Sequence, residues 1–392
     1  HKKHFYYERP LISSCQNRVT IYDRYSGMEK ELVMMASNNY LGLSTHHKVL
    51  AAGLSAAEKY GFGSGGVPLF SGTYELHKKL EKKLAELKGC EDAVIFSSGY
   101  SANTGCLTAI GKKGDTIIHD KLNHASLLDG TASCGAKLKI FRHNDTEHLE
   151  EILRRCRHDH SIMIVVDGVF SMDGDIINLP AVKYLADKYG AKVMVDEAHA
   201  TGVIGNTGKG TLEHHSLEGK IDIVSGTLSK ALGGVGGFIA STKEVVNYIR
   251  FYARSNMFST SLPPSTIAAL IAAIDVLETE PIHNINLKKN IKYMAANLKS
   301  IGLNIGMTES AIIPIIVGDE VKLRKMTKEI HEFGVFVNPV PYPAVAKELS
   351  RIRLSIMATH TKKDLDKTLE ILSICAKKFE ITNGSVDESK HI

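Results

Sequence analysis

The chain has few cysteines, and none at the spacing that holds a metal. The six, at 15, 90, 106, 134, 156 and 375, include no CxxC pair. That argues against a zinc site and against a disulfide framework, and points to reduced thiols in a cytosolic setting. No uninterrupted apolar run reaches the ~20 residues of a membrane span, and no basic-then-apolar leader opens the sequence. The expectation is therefore a cytoplasmic protein without a transmembrane segment, with peripheral contact at the inner membrane face left open. An excess of one charge is also lacking. With 48 Lys and Arg against 43 Asp and Glu, the formal charge is +5 over 392 residues. This suits an anionic small substrate and falls well short of a nucleic-acid footprint. No repeat appears at solenoid periods, and no metal is expected.

What is present is an ordinary enzyme composition, 43% hydrophobic and 23% charged, over a length that suits two or three domains. Residues 1–45 read as an N-terminal segment with a hairpin, Arg18-Val-Thr-Ile-Tyr and Glu31-Leu-Val-Met-Met, turning at Ser26-Gly27. Thr73 to Lys88 reads as a helix with Leu76, Leu80, Leu84 and Leu87 on one face. Short β-branched runs then alternate with helical stretches: 93–96, 116–119, 137–141, 162–166, 192–195 and 221–225, with an antiparallel strand within 234–241. That alternation predicts an α/β fold with a mostly parallel sheet across a large domain, residues 46–284. From about 285 the pattern becomes a smaller α+β domain to 383, with strands at 312–317, 335–337 and 352–356, and 384–392 reads as a polar tail.

Chemistry concentrates at Lys230, in Ser225-Gly-Thr-Leu-Ser-Lys230-Ala-Leu-Gly-Gly, and at Asp196, in Val195-Asp-Glu-Ala-His199. A lysine can hold an aldehyde cofactor as a Schiff base and later move protons at a substrate Cα. A buried carboxylate can keep a pyridine nitrogen protonated. Together they predict pyridoxal 5'-phosphate (PLP) and chemistry on an amino acid. Asp196 closes a strand, where parallel sheets put their sites. His199 follows in the next turn, placed to hydrogen-bond the ring oxygen. His124, in His119-Asp-Lys-Leu-Asn-His124, can stack on the ring or merely cap a helix. Ser98, Gly99 and Tyr100 lie between a strand and a helix, so their amides can face a phosphate, with the Thr227 hydroxyl opposite. Arg351 and Arg353 share one strand face, and either can clamp a carboxylate bidentately. Tyr60-Gly-Phe-Gly-Ser-Gly-Gly66 is not a GxGxxG opening a helix after a strand, so a dinucleotide fold is rejected.

These residues, with Ser37-Asn-Asn-Tyr-Leu-Gly-Leu, Asn123-His-Ala-Ser, Asp167-Gly-Val-Phe-Ser-Met-Asp-Gly-Asp175, Phe258-Ser-Thr-Ser and Ala358-Thr-His-Thr, resemble the α-oxoamine synthase family across residues 37–361. The resemblance implies the fold-type I PLP-dependent transferase fold, aspartate aminotransferase-like, with a seven-stranded sheet. It also implies a homodimer with shared active sites and condensation of an L-amino acid with an acyl-CoA, in most cases with loss of carbon dioxide. Carried over by motif, Lys230 binds the cofactor, His124 stacks, Asp196 faces the pyridine nitrogen, and His199 and Ser171 lie near the ring oxygen. Ser98, Gly99, Tyr100 and Thr227 hold phosphate, with Thr260 reaching in from the other subunit. Arg353 takes the substrate carboxylate, beside Asn38. One departure stands out: the family's arginine after the glycine loop is replaced by Pro68.

Within the family, Val335-Phe-Val-Asn-Pro-Val, Asp175-Ile-Ile-Asn-Leu-Pro and Arg353-Leu-Ser-Ile-Met look most like bacterial serine palmitoyltransferases. The 8-amino-7-oxononanoate synthases come next, followed by the 2-amino-3-ketobutyrate CoA ligases. The alternatives of another class are an aminotransferase, which needs no thioester, and a silent subunit, which the retained Lys230 opposes.

Overall fold

The structure, a computed structural model, describes residues 6–156 and 158–382. The expected tail lies outside the described residues. In chain order the strands are β1 (Arg18–Asp23), β2 (Met28–Met34), β3 (Asp92–Phe96), β4 (Thr116–Asp120), β5 (Lys137–Phe141), β6 (Ile162–Asp167), β7 (Lys192–Asp196), β8 (Ile223–Thr227), β9 (Gly237–Ser241), β10 (Ile312–Gly318), β11 (Val335–Phe336), β12 (Asn338–Val340) and β13 (Ser350–Ser355).

Residues 46–170 and 176–280 form one unit around a seven-stranded sheet of order β3-β9-β8-β7-β6-β4-β5. From β5 to β8 every pairing is parallel, while β9 runs antiparallel to both β8 and β3. The central strands are buried nearly throughout, which is why Ile-Met-Ile-Val-Val and Val-Met-Val read as unbroken apolar runs rather than alternations. Their carboxyl ends turn polar: β6 stops at Asp167, β7 at Asp196 and β8 at Thr227. A buried polar side chain needs a partner: Asp167 takes the His124 N–H, Asp196 takes the Ala198 N–H and the Asn103 amide, and the Thr227 hydroxyl donates to Gly236 O.

The helix Glu75–Lys88 buries Leu80, Leu84 and Leu87, as their spacing requires, and ends on Gly89 in the left-handed conformation. His77, Glu81 and Lys88 are buried too. Apolar spacing does not foresee this; partners do. Arg250 and Lys78 pair with Glu81, and Glu197 pairs with Lys88.

The second unit comprises the described residues before 46, residues 171–175 and those from 281 on. It holds two three-stranded sheets, β1-β2-β11 and β10-β13-β12. The hairpin β1–β2 turns through Gly27 at φ 68°, as its Ser-Gly pair implies. The stretch Val335-Phe-Val was expected as one strand, and the structure divides the chain there. β11 pairs parallel with β2, and β12 pairs antiparallel with β13. Pro339 and Pro314 have no N–H to give, and both stand on strands at the edges of their sheet. Among the described residues no helix is long and apolar enough to cross a membrane.

Candidate active site

The carboxyl ends of β6, β7 and β8 open onto a cavity of about 210 Å³. Eight residues singled out from the sequence line it: Ser98, Gly99, Tyr100, His124, Asp196, His199, Thr227 and Lys230. Asn103, Asp167 and Ser229 line it as well.

Asp196 is 5% exposed and firmly held. Its Oδ1 accepts from the Ala198 N–H at 2.9 Å and its Oδ2 from Asn103 Nδ2 at 2.7 Å. Asp167 lies beside it in register on β6 and receives the His124 backbone N–H at 3.2 and 3.3 Å. Burial, followed by the Asp196 charge, pushes the Asp167 carboxyl well above the usual carboxylate range. Two carboxyls thus stand side by side, and burial beside Asp196 disfavours the charged form of Asp167. His124 caps the helix Ala125–Cys134, and its Nδ1 lies 2.7 Å from Ser126 Oγ. Burial holds this imidazole below the ordinary histidine range, with Lys230 adding to the effect and Asp196 opposing it.

The other end of the cavity is an anion cradle. Ser98 caps the helix Gly99–Ile110, its Oγ accepting from Ser101 N at 3.0 Å, so the first amides of a twelve-residue helix open there. Thr227 faces this turn, and a Cβ on Gly99 would stand 3.1 Å from Thr227 Cβ. Gly237 of β9 makes the fit possible: a Cβ there would collide with Ser98 O and lie 2.6 Å from Gly99 N. The Tyr100 phenol is turned to Asp129. Thr260 does not line this cavity. It borders a second one of about 200 Å³ in the same unit, with Pro68, Ser97 and Asn256.

In the other unit, β13 carries both candidate arginines, nearly fully buried. Arg351 is committed: Nη1 binds Asp173 Oδ1 at 2.6 Å and Met172 O at 3.0 Å, and Nε binds Leu349 O at 2.9 Å. Arg353 meets neutral oxygens, Ser171 O at 2.7 Å, Ser355 Oγ at 2.9 Å and Asn38 Oδ1 at 3.2 Å, together with the buried Tyr40 phenol. Among the described residues no carboxylate pairs with it. Of the two, Arg353 is therefore the one with charge left for a ligand. Ser171 enters through its carbonyl, and Asn38 stands beside Arg353 as the resemblance implied.

A primary amine, a held carboxylate, a ring-sized gap beside an imidazole and a helix-terminal cradle are the groups PLP requires. Asn103, whose amide aims at Asp196, was missed in the sequence. Its signal was its place one turn after Gly99, on the helix face that opens at the cradle. Fold and cavity together define a fold-type I PLP-dependent transferase.

The family model for aminotransferase class I and II matches residues 30–372. The chain is 41% identical over 388 residues to 4-hydroxy-2,2'-bipyrrole-5-methanol synthase PigH of a Serratia species, covering 99% of this chain and 59% of that longer protein. It is 43% identical over 353 residues to 8-amino-7-oxononanoate synthase of Thermoanaerobacter pseudethanolicus, covering 90% of this chain and 89% of that one. Among solved structures, a serine palmitoyltransferase from S. paucimobilis with bound PLP and myriocin superposes with a TM-score of 0.92 at 32% identity, over 96% of this chain and 94% of that one. An 8-amino-7-oxononanoate synthase from Francisella tularensis gives 0.78 at 27%, over 89% and 99%. The chain belongs to the α-oxoamine synthase family, and its cofactor is PLP.

Proposed function

We propose that this enzyme joins the Cα of an L-amino acid to the acyl carbon of a thioester, releasing the thiol and carbon dioxide and leaving an amino ketone. The observation that carries the reading is the meeting of Lys230, Asp196, His124 and His199 on one cavity, in a chain related to 8-amino-7-oxononanoate synthases. The cofactor, when bound, supplies an electron sink for the pair left at Cα. Lys230 anchors it and then takes the Cα proton, because an amine already in contact needs no diffusion to act. Asp196, held by Asn103 and Ala198, would keep the pyridine nitrogen protonated. His124 would cover the ring face, with His199 and Ser171 near the ring oxygen. Ser98, Gly99, Tyr100 and Thr227 would hold the phosphate, with Thr260 contributed across a homodimer interface. Arg353, lacking a carboxylate of its own, would take the substrate's, with Asn38 beside it.

L-Serine with palmitoyl-CoA is the leading pair, supported by the TM-score of 0.92 to serine palmitoyltransferase against 0.78 to the oxononanoate synthase. The second reading, L-alanine with a pimeloyl thioester, rests on 43% identity to the oxononanoate synthase against 32% to the palmitoyltransferase. A cytoplasmic enzyme that meets long acyl donors at the inner membrane face fits the leading pair.

The test is a matrix of L-serine, L-alanine and glycine against acetyl-, pimeloyl- and palmitoyl-CoA, read by free thiol. Fastest release from serine with palmitoyl-CoA supports the leading pair, and fastest release from alanine with pimeloyl-CoA moves the assignment to the second. Keto acid formation without thiol from any donor would make the protein an aminotransferase and end the condensation reading.

A further inference from the structure

We infer that Ser126 and Asn103 are positioning residues that hold the His124 ring in one tautomer, protonated at Nε2, and join it to Asp196 through an unbroken run of hydrogen bonds. The inference rests on the proposed role of His124 over the cofactor ring and says which of its nitrogens faces out with a proton.

Donor and acceptor roles along the run follow from the groups themselves. A backbone N–H can only donate, and the Ser126 N–H lies 3.3 Å from His124 Nδ1. A proton on Nδ1 would face that N–H, so this long contact favours a bare Nδ1, and the hydroxyl beside it fixes the choice. The Ser126 hydroxyl, 2.7 Å from the same Nδ1, donates to it as well. That leaves its oxygen free to accept, which it does from Asn103 Nδ2 at 2.9 Å. The second proton of that amide goes to Asp196 Oδ2 at 2.7 Å. Asn103 can be oriented only this way, because turning the amide over would set its oxygen against the Asp196 carboxylate.

The orientation leaves Asn103 Oδ1 buried without a partner, and Asn103 is only 2% exposed. An unsatisfied buried carbonyl is unfavourable, so both amide protons are being directed at a cost. Ser126 is fully buried, and its Oγ has no solvent to rotate toward. The charged groups facing His124 are Asp196, Asp129 and Lys230, with the Asp167 carboxyl on its backbone N–H. A ring protonated at both nitrogens would press an N–H against the Ser126 N–H, which agrees with the direction burial gives its titration. The outcome is a neutral imidazole whose remaining proton, on Nε2, is available as a donor.

The experiment is nitrogen NMR of holoenzyme labelled with ¹⁵N-histidine, with His124→Gln identifying the signal. The expected result is a protonated Nε2 and a bare Nδ1 in the wild type; a proton on Nδ1 overturns the inference. Ser126→Ala leaves only the longer backbone donor, and the other tautomer should then appear, while Ser126→Thr, which keeps the hydroxyl, should restore the wild-type spectrum. Asn103→Leu should weaken PLP binding, read by absorbance titration, by about tenfold or more, as expected for a lost bond to a charged group. An unchanged tautomer in Ser126→Ala together with unchanged PLP affinity in Asn103→Leu also overturns it. Should Asn103→Leu not fold, the wild-type spectrum and the Ser126 pair still decide. No readout here uses a thioester, so a blank thiol matrix with the expected tautomer removes the proposed reaction alone, and the reverse result removes this inference alone.

Discussion

Two buried cations in this chain are treated in opposite ways. Lys88 is 1% exposed and fully matched: its Nζ meets Glu197 Oε2 at 3.1 Å, Thr201 Oγ1 at 2.7 Å and Lys209 O at 2.5 Å. Glu197 in turn receives the Thr211 N–H at 3.1 Å and the Thr211 hydroxyl. Arg353, 5% exposed, has the oxygens of Ser171, Ser355, Asn38 and Tyr40 and no acid among the described residues. A closed pair holds its own neighbourhood in place; here that is the turn after Asp196, since Glu197 directly follows it and takes Ala200 N and Thr201 N on its carbonyl. An unmatched charge is costly to bury, and it persists where a ligand completes it.

The largest effect should come from opening the closed pair. Lys88→Met strands Glu197 in the interior and should lower stability by about 3–5 kcal/mol, measured by denaturant titration. Lys88→Met with Glu197→Leu should recover part of that loss. No recovery would mean that the pair's neighbours, rather than its charges, carry the effect. Next in size is Arg353→Gln, which should raise the KM for the amino acid about 100-fold, as loss of one member of a buried charge pair does. Its thermal midpoint should move little, because no internal acid loses its partner. A large fall in the midpoint with unchanged KM would place Arg353 with Lys88 as a structural charge.

Neutral buried groups supply a third comparison. Burial depresses His119, His331 and His360 each to about 4, from an ordinary 6.5. Between those values the unfolded chain binds protons that the folded chain refuses, so stability is full above about pH 6.5 and falls as pH drops toward 4. The fall should reach several kcal/mol, up to about 1.4 kcal/mol per pH unit for each histidine, in denaturant titrations across that window, and a flat profile would contradict it. The smallest effect belongs to Arg351→Gln. Its partner Asp173 is one-third exposed and can turn to water, so the loss should be near 1 kcal/mol, with the amino acid KM unchanged.

The sequence made the cavity's proposed cofactor-holding groups legible because their chemistry is local. Lys230, Asp196 and Thr227 each close or follow a strand, and strand ends in a parallel sheet converge. It did not show what steadies them. Lys88 looks like any lysine on an amphipathic helix, and only the fold reveals the glutamate 109 positions on that receives it. Asn103 and Ser126 acquire meaning only once two helices meet. The choice between Arg351 and Arg353 was open for the same reason: both lie on one face of β13, and only the Asp173 contact separates them. The break between β11 and β12 was hidden because Val335-Phe-Val-Asn-Pro-Val is apolar but for Asn338, and such runs do not announce which sheet they join.

The missing side chain of Gly237 has a consequence beyond geometry. Because the room beside Ser98 and Gly99 depends on an atom that is absent, the proposed grip on the cofactor phosphate is one that a single methyl, added to a strand remote from Lys230 and Asp196 in sequence, would loosen. Under the proposed function, a Gly237→Ala protein would make its rate depend on how much free cofactor surrounds it.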